Sequence, residues 1–356
     1  MTLSLEEPRT VYKDPDYYCG PGPSVVYDTD NGRLTVAFRR VKSWLDDGLA
    51  GHWHPGTETC LTHSDDLGET WSEPRVILSG WQCPCLTRLR DGALLHLSHR
   101  FEIVSPEIRS TVDEGPGVMT SPWPGLHAGT AVHRSTDDGH SWSEPVWLDD
   151  VPEVTPFHST LHSPAAVRGN ILELRDGRLL VSAYSTTEGS YSHLFESRDS
   201  GLSWSYVSTI AADHNETYLY ETPEGDLLAW MRAHGDRVSD LYLARSTDGG
   251  LTWSTPELQF RGYPAACAAF GSGNLLVTYG YRFEGYGVRA RICSPEGTDP
   301  SDETIIRDDG AVTDLGYPHA LSLPNGRVLV VYYINRSTDA PDRTAPRYIE
   351  SCILSE

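Results

Sequence analysis

Ser246-Thr-Asp-Gly-Gly-Leu-Thr-Trp253 is one copy of an eight-residue box, Ser-x-Asp-x-Gly-x-Thr/Ser-Trp, that recurs from Ser64 to Trp71, Ser135 to Trp142 and Ser197 to Trp204. Each part has a mechanical role in a hairpin turn. The Asp carboxylate accepts backbone N–H groups, the Gly supplies a positive φ, and the Trp pins the turn to neighbouring strands. The boxes therefore read as structure, not chemistry.

A second pattern alternates with the first. Turns ending in Gly32, Gly92, Gly177, Gly225, Gly273 and Gly326 are each followed by an apolar stretch such as Arg178-Leu-Leu-Val-Ser182 or Arg327-Val-Leu-Val-Val331. Each reads as a hairpin followed by a buried strand. The box Asp follows the turn Gly at a near-constant offset, Gly177 to Asp199 and Gly225 to Asp248, and Ser294-Pro-Glu-Gly297 is a degenerate box at the same offset. Repeats of one four-stranded unit that cannot bury its own faces imply stacking around an axis. The expected fold is all-β, a six-bladed β-propeller of four-stranded antiparallel blades forming a single domain over residues 1–356. The last blade should end in a strand near Tyr348 to Leu354.

With the Gly turns joining strands A–B and the boxes joining C–D, both turn sets lie on one face. The long insertions, roughly 41–56, 101–127 and 150–168, then fall on the other face, where long loops usually carry function.

Composition narrows the classes. The 356 residues include 32 Gly, 24 Pro, 10 Trp, 18 Tyr and 7 Phe, as many turns and strands require. A formal charge of −22, with Lys13 and Lys42 the only lysines, argues against nucleic acid as a partner. No apolar run is long enough for a membrane helix, so no membrane partner is expected. Met1-Thr-Leu-Ser-Leu-Glu-Glu7 lacks the basic and apolar regions of a secretory leader. A cytoplasmic location is the expectation, or secretion if a leader was removed. The 7 cysteines are odd in number and scattered, which suits buried free thiols better than a disulfide framework. Neither Cys83-Pro-Cys85 nor His52-x-His54 completes a ligand set, so no metal or cofactor is expected.

A propeller gathers equivalent positions of its blades around the axis. The starts of the inner strands hold Pro23, Pro84, Arg168 with Gly169, Glu216, Pro264 and Pro318, with Tyr263 and Tyr317 before the last two prolines. The ends of the second strands hold Arg39, Arg40, His99, Arg100, Tyr184, Arg232, Arg282 and Tyr333. Arginines, a carboxylate and tyrosines thus ring one mouth. Arg takes a carboxylate through two parallel bonds, and a Tyr phenol acts as a nucleophile when a carboxylate base and a positive field adjoin it. An acidic glycan is the substrate class such a ring suits.

These boxes and their spacing resemble the sialidase (neuraminidase) superfamily, whose repeats are called Asp-boxes or BNR repeats, over nearly the whole chain. The resemblance implies a Tyr nucleophile paired with Glu, an Asp acid/base and three arginines on the substrate carboxylate. Tyr317 in Asp-Leu-Gly-Tyr-Pro and Glu216 in His-Asn-Glu-Thr-Tyr match the couple. Arg232 matches one arginine, and Arg282 or Arg289 would be the blade 5 arginine. Blade 1 departs, because Cys19-Gly-Pro-Gly-Pro-Ser24 has Pro21 where the family's Phe/Tyr-Arg-Ile-Pro motif carries its arginine. Arg168 is the candidate for the lost charge. Asp46, Asp47, His52 and His54 are the acid/base candidates in the blade 1 insertion. His127, His158 and His162 stand in the other insertions, and His319 beside Tyr317 is a further substrate contact. Two other readings stay open: a lyase or non-sialidase glycosidase on the same scaffold using His and Tyr on a uronate, and a non-catalytic glycan-binding propeller.

Overall fold

The computed structural model describes the chain except residues 1–2, 43–55, 104, 106, 108–117, 120–124, 153, 155–161, 186–189, 235–239, 272, 337 and 339–346. Six antiparallel sheets of four or five strands follow one another as the blades of a propeller. The inner strands are Ser24–Asp28, Trp81–Arg88, Ile171–Glu173, His214–Glu221, Ala265–Phe270 and Gly316–Ser322. The second strands include Arg33–Lys42, Leu179–Ser185, Leu227–Ala233 and Val328–Ile334, and the last of these is buried at every residue. A strand buried on both faces needs apolar residues without alternation, which explains the runs after each Gly turn.

The apolar clusters show why no blade stands alone. Leu34, Val36 and Phe38 of blade 1 pack with Leu329, Val331 and Tyr333 of blade 6. Leu95 and Leu97 of blade 2 pack with Leu179 and Val181 of blade 3. Every cluster among the described residues spans two neighbouring blades. Burial of apolar surface, the main favourable term, is therefore a property of contacts between repeats.

The ring closes through the chain's beginning. Strand Tyr348–Ser355 pairs with Val328–Ile334 on one side and with both Ser4–Leu5 and Arg9–Tyr12 on the other. The final strand is where the sequence pattern puts it, but the outer partner of blade 6 is the N-terminal segment, which carries no repeat signature.

In each box the carboxylate folds the turn. Asp248 accepts Thr252 N at 3.0 Å and Thr252 Oγ1 at 2.6 Å, while Ser246 Oγ accepts Gly250 N at 2.9 Å. The boxes at Asp66, Asp137 and Asp199 repeat these bonds. In the first three boxes Leu67, Asp138 and Ser200 take positive φ, just before the Gly. The thiols are free, and of the seven only Cys83 is not fully buried.

Hydrogen bonds from Thr70 and Ser64 draw Asp66 down to about 2, and those from Thr252 and Ser246 draw Asp248 to about 2, from an ordinary 3.8. A carboxyl whose pKa is lower when folded adds stability that is complete above the unfolded value and is lost as pH falls through the folded one. Thermal unfolding at stepped pH should show Tm falling between about pH 4 and pH 2. Asp248→Ala should lower Tm at neutral pH and flatten that slope; an unchanged slope would contradict the role.

Candidate active site

The inner strands of blades 2, 4 and 6 share a distortion at the mouth. Cys83, Glu216 and Tyr317 have φ of 53°, 45° and 45°, in the left-handed region that L-residues avoid. Ladder register breaks at each, between Gln82 and Cys85, Asn215 and Tyr218, and Gly316 and His319. These are β-bulges, which re-aim a side chain that the pleat would otherwise turn into a blade interface.

The bulges bring Tyr317 and Glu216 together. Tyr317 Oη donates to Glu216 Oε1 at 2.5 Å, and Arg232 Nη1 donates to Glu216 Oε2 at 2.9 Å. Glu216 is 7% and Tyr317 6% exposed, so both are out of bulk water. Burial alone would raise the Glu216 pKa, but the Arg232 charge, the Tyr317 bond and Arg282 together hold it below the usual range. Tyr317 is pushed up, first by burial and then by the Glu216 charge, against the pull of Arg282 and Arg232. The resting couple is a neutral phenol donating to a carboxylate.

Cations surround this couple. The Arg282 guanidinium lies 4.8 Å and that of Arg168 5.1 Å from the Tyr317 ring centroid. Arg282 Nε donates to Leu315 O at 3.1 Å and Nη2 to Tyr333 Oη at 2.9 Å, with Asp314 3.5 Å away. Arg168 Nη2 donates to Pro318 O at 3.2 Å. Arg232 and Arg282 sit 4.2 and 5.5 Å from the Tyr263 ring centroid.

Of the residues expected from sequence, Tyr317, Glu216, Arg232, Arg282 and Arg168 meet here. Arg289 does not: it donates to Val288 O and to Gly285 O at 2.7 Å, and lies 3.4 Å from Glu303, within blade 5. The structure thus separates the two blade 5 candidates. His319 is also displaced from the expected substrate contacts. It lies two residues further down its strand and lines a cavity of about 330 Å³ at the turn-side end of the axis, with Asn170, Tyr218 and Cys267. Burial, then the Arg168 charge, pushes its pKa down to about 3, and its Nδ1 accepts Val25 N at 3.4 Å. Asp46, Asp47, His52, His54 and His158 lie outside the described residues. His127 lies against His99, tilted, with ring centroids 4.6 Å apart, and His162 stacks on Trp147 at 4.3 Å.

Asp314 joins the site as well, together with strand-end tyrosines. Asp314 accepts Tyr333 Oη at 2.6 Å and Tyr18 Oη at 3.1 Å, and lies 3.3 Å from Arg347. Tyr184 is half-buried, and burial, then the Glu216 charge, pushes its phenol up. Tyr184 and Tyr333 stand where the strand-end reading puts them, seven residues past Gly177 and Gly326 as Arg232 stands past Gly225. Asp314 carried no signal.

Comparison with known proteins agrees with this fold. Residues 116–337 match the BNR repeat-like domain. The chain belongs to that family. It is a BNR propeller of the sialidase superfamily. Among curated relatives it is 31% identical over 131 residues to an anhydrosialidase from Macrobdella decora, a match covering 35% of this chain and 16% of that one. It is 23% identical over 224 residues to a sialidase from Bacteroides fragilis, covering 59% and 39%. The chain therefore aligns with well under half the length of either. A crystal structure of a Dyadobacter fermentans protein of unknown function superposes with a TM-score of 0.89 at 33% identity, covering 99% of both chains.

Removing one partner of a buried ion pair leaves the other charge uncompensated. Arg232 and Glu216 side chains are 19% and 8% exposed. Arg232→Met should therefore cost about 3–5 kcal/mol of unfolding free energy in a denaturant titration; a loss within the range of ordinary surface substitutions would show that Glu216 is not held as a buried anion.

Proposed function

We propose that this protein is an exo-acting glycoside hydrolase that releases a terminal acidic sugar, a sialic acid or a related keto-acid sugar, from a glycan. The observation that carries the reading is the buried Tyr317–Glu216 hydrogen bond with Arg232, Arg282 and Arg168 gathered around it. A phenol held this way is a poor nucleophile at rest. Its proton leaves to Glu216 only as the Oη–carbon bond forms, so the couple suits an anomeric carbon that is becoming cationic. A neutral Tyr with a carboxylate behind it also avoids placing two anions beside an acidic sugar.

The steps balance as follows. Tyr317 Oη bonds to the anomeric carbon as the glycosidic C–O bond breaks, and Glu216 takes the phenol proton. The leaving oxygen receives a proton from an acid in the blade 1 insertion, with Asp46, Asp47, His52 and His54 as candidates. Water then attacks the anomeric carbon and gives its proton to the blade 1 acid, now deprotonated, while the carbon–Oη bond breaks and Glu216 returns the proton to the phenol, so two inversions give net retention. Arg232 and Arg282 hold the field that keeps Glu216 ionised and add donors toward the sugar carboxylate.

The lyase alternative needs a histidine beside Tyr317. Glu216 occupies that place, and His319 faces the lower channel, which favours the hydrolase reading. Relatives named sialidase and anhydrosialidase support the same chemistry.

Tyr317→Phe should fold normally and lose turnover by about 10^3-fold or more, and Glu216→Gln by about 10^2–10^4-fold. Mass spectrometry of products from a mixed panel of sialosides and uronate-terminated oligosaccharides identifies the reaction. Masses summing to substrate plus water are expected. Products without added water, or full turnover in Tyr317→Phe, would overturn the proposal.

A further inference from the structure

The axis holds a second chamber below the site. Tyr317 stands at the start of the inner strand of blade 6, and His319, two residues on, lines the cavity of about 330 Å³ toward the turn face. All six inner strands wall this cavity, through Val25, Leu86, Ile171, Tyr218, Cys267 and His319 in turn. None of Tyr317, Glu216, Arg232 and Arg282 lines it. Arg168 stands between the two spaces. It donates to Pro318 O at 3.2 Å, its guanidinium lies 5.1 Å from the Tyr317 ring centroid, and its charge acts on both His319 and Tyr218.

Two nearly buried side chains bring to this space hydrogen-bonding groups that the protein leaves unused. His319 is 7% and Tyr218 6% exposed, and their ring centroids are 6.2 Å apart. His319 Nδ1 accepts Val25 N at 3.4 Å, which puts the proton of the neutral ring on Nε2. Among the described residues neither that Nε2–H nor Tyr218 Oη has a protein partner, and neither atom is sealed into the packing. Other polar groups of the wall are spent: Thr87 Oγ1 donates to Ile171 O, Ser322 Oγ to Ala269 O and Asn170 Nδ2 to Leu219 O.

The wall is also uncharged. Burial, then the Arg168 charge, keeps His319 neutral, and burial pushes the Tyr218 phenol and the Cys267 thiol up. Arg88, the one ionised side chain of the lining, donates to Asp138 at 2.8 Å and lies 3.5 Å from Asp28. A charged ligand would lose its hydration to neutral walls, which is costly. Mostly apolar walls with a few convergent polar groups are what small-molecule sites present at this volume. We propose that the chamber is a second ligand site, taking a small uncharged organic molecule whose apolar body fills the space and whose oxygen bonds His319 Nε2–H and Tyr218 Oη. Ala269 and Ser322 are exposed where the strands reach the turn face, so the ligand enters from the side opposite the mouth. The site does not depend on the hydrolase reading.

4-Bromophenol, uncharged at neutral pH, is the probe. Crystals of the full chain soaked in it should show an anomalous bromine peak inside the chamber, with the phenol oxygen within hydrogen-bond reach of His319 Nε2. Titration calorimetry should find saturable binding in solution. Tyr218→Phe removes a hydroxyl that bonds nothing in the protein, so it should keep its Tm and bind the probe about three- to tenfold more weakly. Ala269→Phe, at an exposed position of the wall, should fill the space and abolish both the peak and the binding while leaving any glycoside turnover unchanged; if it fails to fold, the Tyr218→Phe result decides. No peak in the chamber, a peak without saturable binding in solution (binding at crystal concentration only), unchanged affinity in Tyr218→Phe, or binding that survives Ala269→Phe would overturn the inference. Chamber binding in a protein that turns over no glycoside would remove the hydrolase reading and leave this one standing.

Discussion

Tyr317 and Glu216 are 101 residues apart in the chain, and their hydrogen bond depends on a closed ring. Tyr317 belongs to blade 6, whose last strand is held between its own blade and two strands from the chain's beginning. Because each apolar cluster is shared by two blades, an open ring would expose the faces of blades 1 and 6 that now meet. Tyr317 itself is part of that shared cluster. The hydrophobic contact that closes the propeller and the contact that assembles the site therefore share a side chain.

Within the ring, strained backbone does the aiming. In a regular strand alternate residues face the two neighbouring blades. Neither direction serves a residue that must reach across the axis. The bulges at Glu216 and Tyr317 release each from the pleat, at the cost of a left-handed φ in a residue with a Cβ. Blade 2 makes the same bend at Cys83, and blade 1 makes it at Gly22, where glycine adopts it without strain and leaves space in place of a side chain. The asymmetry of the mouth, with its couple on one side and its notch on the other, follows from what each blade places at that one bend.

Charge is distributed against the trend of the whole molecule. The chain carries a net −22, yet the inner mouth collects Arg39, Arg168, Arg232 and Arg282. Exposed acids are screened within about 8 Å at physiological salt, whereas buried arginines keep their field. An anionic ligand would meet long-range repulsion and short-range attraction, so recognition depends on contact geometry more than on electrostatic steering.

The sequence by itself determined the blade number and the turn set, because those depend on short-range bonds. The Asp carboxylate and Ser hydroxyl bonds that fold a box fall within the box, and the Gly turns need only a local positive φ. Tyr317, Glu216 and Arg232 were legible for a related reason: a fixed offset from a turn Gly fixes height along the strand. Only the tertiary structure decided the rest. Arg282 and Arg289 stand in one blade on adjoining strands, and whether a guanidinium reaches the axis or ties its own blade together depends on which neighbours accept its hydrogen bonds. His319 shares a strand with Tyr317 but lies deeper, and depth along an axis has no counterpart in residue type. Asp314 and the N-terminal closing strand belong to no repeat, so nothing periodic marked them. Compensation of charge is the extreme case: an offset from Gly32 places Arg39 at the mouth, but only the fold shows its guanidinium buried with no described acceptor.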